Sequence, residues 1–304
     1  MTVCVAAICA PAAVIGMSDR MLTAGDVQFT PQRSKIVAVT TSIVAMISGD
    51  IALAHELLVE VTATVNARIQ TEPQNWWKVK DVAELWKAAY LERLKRESES
   101  KWMAPLGLTL DTFISRNREL NSGLAGRLTQ ELLNYDLPIM EVIFAGIDQS
   151  GPHLYVADGG KVWCQDAVGF AAVGSGASHA KSQLMFSGHT ASSPFNKTLY
   201  HIYAAKKRAE VAPGVGQETD SFIAWQLGGS SVIRDDIIDL VKTAYEEVEQ
   251  QSKQITVETE EKVHAAIQGI LDGPTTHTQA APEITDGNTS SLGIDDRDGA
   301  DAKE

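Results

Sequence analysis

The chain opens Met1-Thr2-Val3-Cys4-Val5. Removal of the initiator Met would leave a threonine that carries a free α-amine and a hydroxyl on the same residue. A threonine hydroxyl is a poor nucleophile by itself and becomes a good one beside a base. The α-amino group, with an unperturbed pKa of about 7.7–8.0, is neutral often enough near pH 7 to serve as that base. Many chains begin Met-Thr without catalytic consequence, so the weight falls on the residues that would surround such a nucleophile. Two acidic or basic positions stand out because they interrupt apolar, strand-like runs: Asp19, closing the segment 12–20, and Lys35, inside the segment 33–39.

The elements that would position them follow in order. A strand over Ser42–Ile47 ends at Ser48-Gly49-Asp50. A helix then begins, with Ile51, Ala54, Leu57, Leu58, Val61, Val65 and Ile69 at helical spacing, and Pro73 ends it. A second helix is predicted over about 78–98 and a third over about 123–134. Between them, Trp102 to Leu110 is too apolar for a free linker and should pack on its own helices, on a neighbouring subunit or over a cleft. Strands resume at Glu141 and turn at Gly151-Pro152. Gly174-Ser175-Gly176 leads into a helix, another covers about 195–209, and a strand follows over 220–226. This alternation indicates an α+β chain with two stacked sheets between helical layers.

Taken in order, the leading Thr2, Ser18-Asp19-Arg20, Thr23, Lys35-Ile36-Val37 and Ser48-Gly49 before a helix resemble a proteasome β-subunit. So do Glu141–Asp148, Gly151–Asp158 and Ala172–Ala177 in the second half. The opening Met1-Thr2-x-Cys4-Val5-Ala6 is most similar to the bacterial Anbu-type branch of that family. The resemblance covers roughly 2–70 and 138–227. It implies an N-terminal nucleophile (Ntn) hydrolase fold, a four-layer αββα sandwich of two antiparallel sheets between helical layers. It also implies roles. Thr2 would be the nucleophile and its amine the base. Lys35 would be a fixed positive charge beside the hydroxyl, held by Asp19. Gly49 would offer its N–H to the oxyanion. Ser175 would orient the amine, and Thr23 would bind an extended substrate through its main chain. The family places an Asp and then a Ser near the end of the helix at 195–209. This chain has Glu210, which could still accept a hydrogen bond, and Pro213, which cannot replace a hydroxyl. Catalysis would then be slower, differently supported or absent.

The resemblance further implies a substrate side-chain pocket lined by Leu22, Arg33, Val37, Ile47, Ile51 and His55. Arg33 would favour acidic side chains by direct pairing, whereas Leu22, Val37 and Ile47 would favour apolar ones. The preference stays open. A peptidase acting on peptides or proteins, an amidase acting on small amides, and a non-catalytic assembly or binding subunit are all compatible with these residues. The family assembles, so a homo-oligomeric ring or open helical stack is expected, with any ATPase partner unspecified.

Composition narrows the classes. A net charge of −13 over 304 residues argues against nucleic-acid binding, which usually needs a basic stripe. Three cysteines, Cys4, Cys9 and Cys164, give neither metal-ligand spacing nor an even disulfide set, so no metal, no cofactor and a cytoplasmic location are expected. The apolar first seventeen residues lack a basic leader, contain Pro11 and run straight to Asp19, which reads as a buried hairpin rather than a signal peptide. No stretch reaches the ~18 apolar residues of a membrane span, so no membrane partner is expected. The seven histidines show no HExxH or Ser-His-Asp context. The expected organisation is a hydrolase domain over 1–229 with a helical insertion at about 71–137, and a helical extension over 230–273 that Thr256, Val257 and Glu258 would divide in two. A disordered acidic tail is expected over 274–304, where a calcium-loop-like stretch at 296–301 lacks the distal bidentate Glu.

Overall fold

A computed structural model describes residues 2–24, 27–29, 34–116, 118–226 and 229–271. The acidic tail and the calcium-loop-like stretch lie outside the described residues. Up to Glu249 the chain forms one compact unit, and a second begins at Gln250.

The first unit is built on two five-stranded antiparallel sheets. One has the order β10-β1-β2-β11-β12, from Cys4–Cys9 (β1), Ala13–Asp19 (β2), Phe170–Val173 (β10), Thr219–Trp225 (β11) and Gly229–Val232 (β12). The other has the order β5-β6-β7-β8-β9, from Ile36–Ala38 (β5), Ile43–Gly49 (β6), Met140–Asp148 (β7), Gly151–Asp158 (β8) and Lys161–Cys164 (β9). A small ribbon pairs Leu22–Ala24 (β3) with Val27–Phe29 (β4).

Strand alternation explains why these runs are apolar throughout. In β1 and β2, Val5, Ala7, Cys9, Ile15 and Met17 face helices Ala177–Phe186 (α5) and Phe195–Ala209 (α6), while Cys4, Ala6, Ile8 and Val14 face the other sheet. In β6 and β7, Ile43, Ala45, Ile47, Val142 and Phe144 meet helices Ile51–Thr71 (α1) and Val79–Trp102 (α2), while Val44, Met46, Ile143 and Ala145 face inward. Both faces of each sheet are thus buried, a condition met by continuous apolar strands rather than alternating ones. The result is the four-layer αββα sandwich that the order of elements implies. This architecture is consistent with an Ntn-hydrolase-like fold. A fully buried apolar side chain such as Phe144 or Ile15 contributes about 1.5–3 kcal/mol.

The apolar segment after α2 packs on its own chain. Met103 joins Phe113, from Leu110–Arg116 (α3), and Leu128, from Ser122–Leu133 (α4), in a satellite core flanked by Trp102, Leu108 and Leu110. The C-terminal stretch is a single helix, Asp235–Leu271 (α7), rather than two. Thr256, one of the three residues expected to break the helix, donates its hydroxyl to the Ser252 carbonyl and so satisfies itself within it, as does Thr259 with the Ile255 carbonyl. Its early residues Ile237, Ile238, Val241 and Tyr245 pack on the α5–α6 side of the first sheet. Among the described residues, no helix is long and apolar enough to cross a membrane.

Two histidines are expected to make this layer sensitive to acid. His189 and His201 are both buried, with ring centroids 6.0 Å apart. Burial pushes the pKa of each down, and Lys197 nearby adds to the effect. A neutral imidazole is therefore favoured in the folded chain, while the unfolded chain takes up protons near pH 6.5. Stability is expected to be level above that pH and to fall as the pH drops through it, because the unfolded state then binds more protons. Urea midpoints at pH 7.5 and 5.5 measure this, and a His189→Phe, His201→Phe variant should show a smaller difference. An equal difference in the variant would place the acid sensitivity elsewhere.

Candidate active site

Thr2 lies just before β1, at the end where β2 finishes at Asp19 and where Lys35 precedes β5. The three are buried, with Asp19 at 0% and Lys35 at 2% exposure. Thr2 Oγ1 donates to Asp19 Oδ1 at 2.6 Å. The Lys35 ammonium donates to Asp19 Oδ1 at 2.8 Å, to the Met21 carbonyl at 2.5 Å, and to Thr2 Oγ1 in a short contact. The Asp19 carboxylate is saturated. Val3 N–H donates to Oδ1 at 2.9 Å, and Oδ2 takes the N–H groups of Met21 at 3.1 Å and Gly216 at 3.0 Å. A buried ion pair persists only when its remaining hydrogen-bonding capacity is met in this way. The ladder places Lys35 as well, since Ile47 N–H donates to the Lys35 carbonyl at 3.0 Å and so continues the β5–β6 pairing by one residue.

Ser175 is the neighbour of the Thr2 main chain. Thr2 N–H donates to Ser175 Oγ at 3.2 Å, and the Thr2 carbonyl accepts from Gly176 N–H at 3.2 Å. Gly174 packs so closely that a Cβ there would overlap the Thr2 carbonyl oxygen and lie 2.8 Å from both Thr2 Cγ2 and Ser48 Oγ. Its φ of +93° is open to glycine and strained for other residues. Gly49 follows Ser48 at the end of β6 with φ +88°, a turn that leads to the cap of α1, where Asp50 Oδ1 accepts from Leu53 N–H at 3.0 Å. Cys4 is not a nucleophile here. Its Sγ donates to the Ile47 carbonyl at 3.3 Å, and burial pushes its pKa well above the usual thiol range against the pull of Lys35.

Beside Lys35 a cavity of about 1080 Å³ opens. Leu22, Val37, Ile47, Ile51 and His55 line it together with Lys35, Ile36 and Ala52. Ile51 and His55 share a face of α1 by their four-residue spacing. Arg33 lies outside the described residues. Thr23 sits in β3 in register with Gln28 of β4.

Glu210 is not brought to Thr2. It follows α6 and its carboxylate takes Lys206 at 2.6 Å and Lys207 at 2.7 Å. Those lysines lie four and three residues back on the same helix, so the pairing is the local one that helical spacing favours. Lys206 and Gly174 were not among the residues singled out from the sequence. Lys206 sits in Lys206-Lys207-Arg208, a run that reads as a solvated helix end, yet its side chain is fully buried. The available signal was its place on the apolar stripe of Ile202, Ala205 and Ala209. One further cluster was also unexpected. Ser150 Oγ lies 2.8 Å from His153 Nε2, and His153 Nδ1 lies 2.6 Å from Asp166. The Ser150 hydroxyl donates to Asp148 Oδ1 at 2.6 Å, and Asp148 Oδ2 accepts from Val79 N–H at 3.1 Å, so this network ties the β7–β8 turn to the start of α2.

No protein-family model and no curated protein matches this chain. The Thr2, Asp19 and Lys35 cluster is an Ntn-hydrolase-like arrangement.

Proposed function

We propose that the chain is an N-terminal threonine peptidase whose nucleophile is freed by removal of Met1. The observation that carries this reading is the meeting of Thr2 Oγ1, Asp19 and the Lys35 ammonium at one buried point, with Ser175 on the Thr2 nitrogen. A buried lysine beside a hydroxyl favours its deprotonated form, and the free amine takes the proton. Oγ1 then attacks the substrate carbonyl, and the oxyanion develops toward the Gly49 N–H. The C–N bond breaks as the Thr2 ammonium returns its proton to the leaving amine. Water, activated by the same amine, hydrolyses the resulting ester. The substrate would add to β3 through Thr23, and its side chain would enter the cavity of Leu22, Val37, Ile47, Ile51 and His55, with Arg33 as a further member. A homo-oligomeric ring or helical stack in the cytoplasm completes the reading.

Glu210 favours a second reading. With its carboxylate on Lys206 and Lys207 and Pro213 nearby in sequence, the amine lacks the acid and hydroxyl supports of the resembled family, as a non-catalytic assembly subunit would. Incubation with peptide epoxyketones, followed by mass mapping, separates the two. This warhead needs both the hydroxyl and the free amine of an N-terminal threonine. The expected result is an adduct on Thr2 with Met1 absent, none in Thr2→Ala, and turnover of peptides in preference to small amides. Met1 retained and no adduct would support the non-catalytic subunit, and turnover of small amides alone would make the enzyme an amidase.

A further inference from the structure

Lys206 is in the last turn of α6, and its ammonium has three protons and three acceptors. It donates to Glu210 Oε1 at 2.6 Å, to the Gly216 carbonyl at 3.1 Å and to the Gln217 carbonyl at 2.6 Å. The side chain is wholly buried, and burial pulls its pKa down while Glu210 opposes that pull. The two carbonyls belong to the segment leading into β11. The same Gly216 offers its N–H to Asp19 Oδ2. One residue thus lies between a buried cation and the carboxylate that holds Thr2.

We infer that Lys206 is a positioning residue for the Asp19 carboxylate, acting through the 216–217 segment; as a statement about catalysis this rests on the hydrolase reading above. The two oxygens of Asp19 divide their work. Oδ1 meets Thr2 Oγ1, Val3 N–H and Lys35, and among the described residues Oδ2 meets only the main-chain donors Met21 and Gly216. Those two donors set the rotation of the carboxylate, so they also set where Oδ1 stands against the nucleophile. Met21 is tied in turn to Lys35 through its carbonyl. Gly216 has its tie in Lys206. An ammonium at this point fixes both carbonyls of a segment that carries no regular secondary structure, and a displacement of about 1 Å there is enough to cost about a hundredfold in rate. Glu210 then has a defined part, keeping Lys206 charged in a buried setting.

The test is Lys206→Met, which keeps the length of the side chain and removes its donors, while Glu210 keeps Lys207. Two readouts are needed. Amide hydrogen exchange in the peptide spanning 212–218 should speed up at least tenfold, with β1 and β2 unchanged. Peptide turnover should fall about a hundredfold in kcat with KM within about twofold. A folded variant with unchanged exchange or an unchanged kcat would overturn the proposal, even if its Tm fell. If Lys206→Met does not fold, Glu210→Gln takes its place, with smaller changes expected in the same readouts; no change in either overturns it. Should the wild-type chain neither label nor turn over peptides, the hydrolase reading fails by itself, and the exchange measurement still decides whether Lys206 holds the segment.

Discussion

Lys35→Met is expected to lower peptide hydrolysis by about a thousandfold and to cost about 3–5 kcal/mol of stability. The two losses have one cause. The ammonium is the hydrogen-bond donor shared by Thr2 Oγ1, Asp19 Oδ1 and the Met21 carbonyl. Without it, Asp19 remains as an uncompensated charge at 0% exposure. A buried pair replaced as a whole behaves differently, since its desolvation cost disappears along with its attraction. Lys35→Met with Asp19→Asn should therefore recover most of the stability lost in Lys35→Met and none of the activity. Urea unfolding and epoxyketone labelling, run on the wild type, both single variants and the double variant, measure the two quantities separately. Labelling of Lys35→Met at the wild-type rate would remove the lysine from the chemistry and leave it a purely structural ion pair.

The parts of this site that were legible in the sequence are those with a local or periodic signature. Asp19 and Lys35 stand out because an ionisable residue inside an otherwise apolar strand run must be partnered if buried. The helix start was legible in the helical spacing that begins at Ile51, and the structure adds its cap, Asp50 Oδ1 accepting from Leu53 N–H. The apolar strands were legible because sheets covered on both faces leave no room for polar alternation. Leu22, Val37, Ile47, Ile51 and His55 came from a resemblance, and the structure gathers all five around one cavity.

What was not legible depends on tertiary contact. Lys206 carries the same side chain as Lys207 next to it, yet one is buried against carbonyls ten and eleven residues later and the other is partly exposed. Composition of the run cannot separate them. Glu210 occupies the expected stretch of sequence, but local helix pairing captured it before any distant amine could. The edge strands β9 and β12 are four residues each and leave Trp163 and Val232 exposed, so they exist through pairing with β8 and β11 rather than through a buried apolar face of their own. Thr256 looks like a helix breaker by type, and its back-bonded hydroxyl shows why type was insufficient.

Gly174→Ala should be as damaging as losing a catalytic side chain, although it adds one methyl group and removes nothing. At φ +93° an alanine already carries about 1–3 kcal/mol of backbone strain. Its Cβ would overlap the Thr2 carbonyl oxygen and press on Thr2 Cγ2 and Ser48 Oγ at 2.8 Å. The carbonyl is main chain, so relief cannot come from turning a flexible side chain. It must come from moving Thr2 away from Ser175 and Gly176, which hold it at 3.2 Å each, or from pushing Ser48 and the turn at Gly49. Either movement separates the nucleophile from the oxyanion donor. The expected result is a fall of about a hundredfold or more in kcat, with the cavity beside Lys35 intact and KM little changed. Ser175→Ala is the contrast, because it removes one hydroxyl from the Thr2 nitrogen and leaves the main chain where it is, and it should cost less. The comparison is made by steady-state kinetics on the two variants. If Gly174→Ala kept wild-type turnover, Thr2 could tolerate displacement and the geometry drawn around its hydroxyl would not be the reacting one.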